Sequence, residues 1–318
     1  VIGNESGSYH SRAFVGNSNL AIFGNSSNSA LYLRFDGTQS AITTVYNYGT
    51  VEGYTMPLNA NTYYKIYGQL GVWSQDESQN GRNIKVAITD SEGNEIASQT
   101  VTEPSNYVSG GGGSLVDFNF VANISEDGDY IFTIANVSGG STSIVISNLE
   151  LFKAPTTTAT MTITDAQYAT FIAPFDVEIP EGVTAYTVTG IDGSTLTMEA
   201  IEESTIDANT PVVLFSESNV SKEFSGQNTA VEDTYTEGLL TGTYTALDAE
   251  ALDGNYLLQK QNDKVAFYLV DKDATVDVAP YLNANRAYLT VPSTVVEGAK
   301  SRAFFFSGSD EATGISGL

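Results

Sequence analysis

The chain has 318 residues, of which 41% are apolar and 16% charged, and it carries a net charge of −25. That length exceeds what one hydrophobic core usually serves, and the apolar share suffices for two cores, so disorder is excluded and two domains are expected. So acidic a surface repels phosphate backbones and anionic headgroups, which argues against nucleic acid as a partner, and no stretch approaches the roughly 20 apolar residues that cross a bilayer.

The chain opens on Val1-Ile2-Gly3-Asn4-Glu5, which has neither a basic start nor an apolar run. No signal peptide is read there, and the expectation is a mature or excised segment. Alternating apolar and polar runs then dominate, which is the pattern of half-buried strands. Strands are expected over Leu31–Phe35, Tyr63–Val72, Asn83–Thr89, Glu95–Val101, Leu115–Ala122, Tyr130–Ala135 and Ser143–Phe152. Asp36-Gly37, Asn80-Gly81, Glu92-Gly93-Asn94 and Asp127-Gly128 punctuate them as turns. Short strands at this spacing indicate a sandwich or jelly roll.

After Phe152 the run Lys153-Ala154-Pro155-Thr156-Thr157-Thr158 reads as a Pro/Thr linker, which sets the domains at 1–153 and 159–318. Residues 1–155 hold six basic and fourteen acidic side chains, and residues 156–318 hold seven and twenty-four. The alternating Thr160-Met161-Thr162-Ile163-Thr164 starts the second domain, and Asp248–Leu252 is expected to form one helical turn. Within this half, Ile206-Asp207-Ala208-Asn209-Thr210-Pro211 and Leu282-Asn283-Ala284-Asn285-Arg286 echo each other, each reading as a turn tipped by Ala-Asn that feeds a buried strand.

The chemistry available is narrow. There is no cysteine, which excludes disulfides and thiolate catalysis, and a cysteine-free β chain rich in Thr, Ser, Asn, Gly and Tyr points to export. The single histidine, His10, has no Gly-x-Ser-x-Gly elbow to serve, and zinc lacks ligands. Gly110–Ser114 is not a phosphate loop, since no Gly-Lys-Ser/Thr follows it. Carboxylates are plentiful, but those of the second domain gather at turns and strand ends, and no pair stands out as a glycosidase acid and base.

Aromatic residues are the informative feature, with ten of the 18 tyrosines and the only tryptophan in the first half. Tyr63, Lys65, Tyr67 and Gln69 share one strand face, and Tyr64, Ile66 and Leu70 share the other, which has the character of core. Tyr46 and Tyr48 share one side of another strand. Sugars present flat C–H faces edged by hydroxyls, so an aromatic ring flanked by hydrogen-bonding side chains suits them. Trp73 closes the strand and Tyr67 lies on its polar face; Arg82 ends the following polar loop, and Asn106 lies in a second long loop. In a jelly roll, strand ends and loops at one edge converge, so these four residues form the candidate ligand site. Trp73 admits two readings, an inter-sheet core residue or a ligand contact, and Tyr67 reads equally as an ordinary half-exposed sheet residue. Glu5 and Glu150 could join the first strand to the last through a structural calcium ion, against the plain alternative that both carboxylates are solvated.

Residues 1–155 resemble the galactose-binding-like jelly-roll modules appended to secreted glycoside hydrolases and carbohydrate esterases of anaerobic gut bacteria. Gly53–Tyr64, the Trp73 strand end, Val86–Glu95, Gly128–Phe132 and Ile146–Leu151 carry the resemblance. Residues 160–315 resemble β-rich C-terminal accessory domains of exported proteins from such bacteria, through Tyr168–Phe175, Ile179–Tyr186, Ala208–Val212, Ala284–Leu289 and Gly314-Ile315. Together they imply an all-β chain, a jelly-roll sandwich followed by a second β-rich domain. They also imply a secreted or cell-surface, non-catalytic accessory fragment that binds a polysaccharide or oligosaccharide and is covalently linked to a catalytic domain; the glycan is expected to be neutral, because the net charge of −25 disfavours polyanionic glycans unless a divalent cation bridges them. Two rivals stand beside this reading: a surface structural or adhesive protein with both domains as scaffold, and an enzyme with unrecognised acidic residues.

Overall fold

The computed structural model describes residues 11–14, 30–35, 56–72, 81–104, 115–138, 142–273, 279–291 and 303–306. It is an all-β protein, and its contacts divide it into two compact units, Val1–Ala154 and Pro155–Leu318.

In the first unit the described strands are β1 (Ser11–Phe14), β2 (Ala30–Phe35), β3 (Met56–Leu58), β4 (Thr62–Val72), β5 (Asn83–Asp90), β6 (Glu95–Thr102), β7 (Val116–Ile124), β8 (Gly128–Asn136) and β9 (Thr142–Lys153). They form a five-stranded sheet ordered β1-β2-β9-β4-β7 and a four-stranded sheet ordered β3-β8-β5-β6. From β2 onward the order 2-9-4-7 against 3-8-5-6, with every pairing antiparallel, is the jelly-roll connection pattern. Alternation dictates the inner faces. Tyr64, Ile66 and Leu70 of β4 meet Ile84, Val86 and Ile88 of β5, Phe118 and Phe120 of β7, and Phe132 and Ile134 of β8 in one core.

Local chemistry shapes the hairpins. In the β5–β6 turn, Oδ1 of Asp90 accepts the Glu92 and Asn94 backbone N–H groups at 2.9 and 2.8 Å. Oδ2 of Asp90 accepts the Asn94 side-chain amide at 2.7 Å, and Gly93 takes the φ of +90° that the turn requires. The Asp127 carboxylate accepts the Ala60 N–H at 2.7 Å, tying the β7–β8 turn to the start of β4.

The second unit contains β10 (Thr156–Ile163), β11 (Tyr168–Phe171), β12 (Val177–Glu178), β13 (Thr184–Asp192), β14 (Thr195–Ala200), β15 (Thr205–Ile206), β16 (Val212–Phe215), β17 (Val220–Gln227), β18 (Thr234–Glu237) and β19 (Leu240–Thr243). After the one-turn helix α1 (Ala249–Leu252) come β20 (Tyr256–Gln261), β21 (Lys264–Leu269), β22 (Arg286–Leu289) and β23 (Ala303–Phe306). Asp248 caps α1, its carboxylate accepting the Ala251 N–H at 3.0 Å. Ten strands form one sheet ordered β11-β16-β13-β14-β23-β21-β20-β22-β19-β18, while β10–β17 and β12–β15 are separate ribbons.

One expectation is corrected here. The division between the units, after Ala154, falls inside the Pro/Thr run 153–158, but most of that run is strand rather than linker: β9 continues to Lys153, Ala154 is buried, and Thr156, Thr157 and Thr158 open β10 opposite Gln227, Gly226 and Ser225. Threonine is β-branched and suits a strand once a partner is supplied, and that partner lies far along the chain. The Ala-Asn echo has a shared geometry. Asn209 and Asn285 both stand in the left-handed region, at φ +64° and +61°, immediately before the segments that enter β16 and β22.

Candidate functional site

The outer face of the β7–β4–β9 stretch of the first unit carries the candidate site. Its geometry starts from two irregularities. At Gly68, directly opposite Phe118 in the β4–β7 ladder, a Cβ would stand 2.1 Å from the Phe118 ring. The missing side chain leaves room for the tip of that buried ring against β4, while Tyr67 and Gln69 on either side of Gly68 turn outward.

The second irregularity is a bulge in β9. Tyr67 pairs with Glu150, but Gln69 pairs with Ser147, so two residues of β9, Asn148 and Leu149, oppose the single Gly68. Asn148 absorbs the extra residue at φ +51°, a conformation asparagine tolerates better than most side chains. The bulge reverses which parity faces the core. Ile144 and Ile146 point inward before it, whereas Leu151 packs on the core after it. Glu150 and Phe152 are thereby delivered to the outer face, where a regular strand would have sent them in.

The result is a shallow cavity of about 350 Å³ lined by Tyr67, Gln69, Asp117, Asn119, Asn148 and Glu150, with Gly68 and Phe118 at its floor. A hydrogen-bonded line crosses three strands there. The Asn148 amide donates to Gln69 Oε1 at 2.6 Å, and Gln69 Nε2 donates to Asp117 Oδ1 at 2.8 Å. Beside it the Tyr67 and Phe152 rings lie parallel, 6° between planes and 5.8 Å between centroids. Phe152 is 42% exposed, which is unusual for a large apolar ring and leaves a flat hydrophobic face next to the polar line. Lys65 shares this face but is buried, and burial lowers its ammonium pKa. The backbone N–H of Asn119 is held by Gln99 Oε1 at 2.7 Å, which fixes β7 to β6 at the rim of the sandwich.

Of the residues singled out in the sequence, Tyr67 lines this cavity. Arg82 does not. It is half-buried at the start of β5 in the opposite sheet, its backbone N–H donating to Glu103 Oε2 at 3.1 Å and its carbonyl accepting the Glu103 N–H at 2.8 Å. Trp73, Asn106, Tyr46, Tyr48 and Glu5 lie outside the described residues. Glu150 sits in the cavity beside Tyr67, and among the described residues no group of three or more His, Cys, Asp or Glu side chains comes together to hold a metal ion. Sequence reasoning missed Phe152, Asn148 and Asp117. The signal for the first two was the break in alternation at Ser147-Asn148, where Ile144 and Ile146 give way to Leu149 and Leu151.

No family model matches the sequence, and no curated protein matches it. Among solved structures, the chain is similar to a CBM4 carbohydrate-binding module at 13% identity and a TM-score of 0.29, covering 47% of this chain and 81% of that one. It is also similar to the N-terminal CBM22-1–CBM22-2 tandem of Paenibacillus barcinonensis Xyn10C, at 8% identity and a TM-score of 0.25, covering 66% of this chain and 80% of that one. A third likeness is to the arabinose-bound α-L-arabinofuranosidase MgGH51, at 13% identity and a TM-score of 0.30, over 46% of this chain and only 23% of the enzyme. Likenesses this distant say nothing of what the present chain binds.

Proposed function

We propose that the chain is a non-catalytic accessory part of a secreted polysaccharide-degrading protein, and that the outer β7–β4–β9 face of its first unit binds a neutral glycan. The observation that carries this reading is the parallel, partly exposed Tyr67–Phe152 pair set against the Asn148–Gln69–Asp117 line. A pyranose offers the same division, an apolar C–H face and a ring of hydroxyls. The aromatic pair takes the face, and the amides and carboxylates take the edge. Asp117 and Glu150 act in this reading as hydroxyl acceptors, Asp117 already oriented by Gln69. Two carboxylates in the cavity disfavour an acidic sugar, which keeps the ligand neutral.

The test is calorimetric titration of the full chain with a panel of soluble neutral polysaccharides. At least one should bind, with an affinity nearly independent of salt, because no charge pairing is involved. Tyr67→Ala and Phe152→Ala should each weaken it about tenfold or more, since stacking of this kind is worth about 1–3 kcal/mol. Both rings are partly exposed, so the melting temperature should move little. Unchanged affinity in both variants, or no binding across the panel, overturns the reading.

A further inference from the structure

A second cavity, in the C-terminal unit, has the opposite electrostatic character. Strands β20 and β22 pair only at Tyr256 and Leu289, while β22 stays paired with β19 from Arg286 to Leu289. The gap that opens between β20 and β22, walled on its other side by the end of β10 and by β11, encloses about 290 Å³. Among the described residues its charged lining consists of Arg286 and Lys260, and no carboxylate lines it. That is a sharp departure from its surroundings, since residues 156–318 hold twenty-four acidic side chains and seven basic ones.

Arg286 is the residue that follows the left-handed Asn285 at the tip of one Ala-Asn turn, and its guanidinium is drawn in toward the backbone. Nη1 donates to the Thr170 carbonyl at 2.8 Å and reaches the Thr162 carbonyl at 3.4 Å. These neutral oxygens are its partners, and no carboxylate of the described residues pairs with it. Burial lowers its pKa, as expected of a cation withdrawn from water without a counter-charge. Among the described residues, the ion pair of Lys260 is a long 3.8 Å contact to the exposed Asp263 of the adjoining turn. At the mouth, the Tyr281 ring is 58% exposed.

We propose that this cavity is a binding site for a carboxylate-bearing sugar, a uronic acid residue, with Arg286 and Lys260 taking the carboxylate and Tyr281 the sugar face. A guanidinium offers a planar fork that matches a carboxylate, and in a half-buried setting the pair gains more than it would in water. Tyr281 supplies a flat apolar surface, and Thr164 and Gln259 supply partners for hydroxyls. At about 290 Å³ the cavity is just below the usual range for ligand sites, about 300–1,000 Å³, which fits a single sugar residue rather than a long chain. The site is independent of the neutral-glycan face on the first unit and survives if that reading fails.

The experiment uses the full chain carrying Tyr67→Ala and Phe152→Ala together, so that the first face is weakened at both of its rings, and titrates it with glucuronic acid, glucose and an acetylated dipeptide. Glucuronic acid should bind and glucose should not. Raising the salt from about 0.05 to about 0.5 M should weaken binding several-fold. Lys260→Ala and Tyr281→Ala replace side chains at the cavity rim and should each lower the affinity several-fold without lowering the melting temperature. Arg286→Gln should abolish binding, and Arg286→Lys should restore part of it. Because Arg286 also ties β22 to β10 and β11, a poorly folded Arg286→Gln leaves the decision to Lys260→Ala and Tyr281→Ala. Equal binding of glucose and glucuronic acid, indifference to both rim substitutions, or tighter binding of the dipeptide than of glucuronic acid would overturn the proposal.

Discussion

Gly68→Ala tests how the first-unit site is built. The new Cβ would stand 2.1 Å from Phe118 Cζ and within 2.8 Å of both neighbouring ring carbons, against an ordinary contact of at least 3.4 Å. The Phe118 ring would therefore have to retreat by 3.4 − 2.1 = 1.3 Å. It is 1% exposed and packed in the sandwich core, so retreat means displacing the core or moving β7. Overpacking of this kind costs about 1–3 kcal/mol, and a domain of this size loses roughly 2–4 °C of melting temperature for each kcal/mol. A fall of about 2–12 °C in the unfolding of the first unit is expected by calorimetry. Glycan affinity should fall as well, because Asp117 and Asn119 flank Phe118 and line the cavity. The decisive measurement is a double-mutant cycle. Phe118→Leu alone leaves a cavity and destabilises, but in the Gly68→Ala background it relieves the clash, so the double variant should be more stable than the two single losses added together. Strict additivity, or an unchanged melting temperature for Gly68→Ala, would refute the reasoning.

Asn148→Val places a β-branched residue at φ +51° and removes the amide that orients Gln69; the expected result is a destabilisation of about 1–3 kcal/mol in urea unfolding together with weakened glycan binding, whereas Asn148→Gly should keep the fold and lose only part of the affinity. Asp90 carries a carboxyl pKa held below its ordinary value, first by the Asn94 side-chain hydrogen bond and then by the backbone N–H groups of Asn94, Glu92 and Gly93. A depressed pKa contributes order above the unfolded value and loses it as pH falls through the folded one, so the amide shifts of Glu92 and Asn94 should stay constant at neutral pH and move only below about pH 4. Asp90→Asn should remove that acid transition, and its persistence in the variant would exclude Asp90 as its source.

Much of the fold was legible because strand formation in a sandwich is a local, period-two property. Tyr64, Ile66 and Leu70 declared the core face of β4 without reference to any partner, and their burial follows from that alternation. The turn at Glu92-Gly93-Asn94 and the helical turn after Asp248 were legible for a related reason, since each depends on bonds between residues no more than four apart. Thr156–Thr158 misled because the pairing that makes them a strand comes from Ser225–Gln227, and composition alone resembles a linker. The polar and aromatic faces of β4 could be assigned from sequence, but not what they would meet. Phe152 reaches the outer face only because a bulge at Asn148 reverses the parity of β9, and whether a strand bulges is decided by its register against a neighbour, here β4. Gly68 reads as a weak point in a strand until the tip of the Phe118 ring is seen against it. Arg286 reads as a turn residue until β10, β11 and β20 enclose it. Local pattern determines which side of a strand is apolar; the register between distant strands determines which side chains share a surface, and binding sites are made of the second.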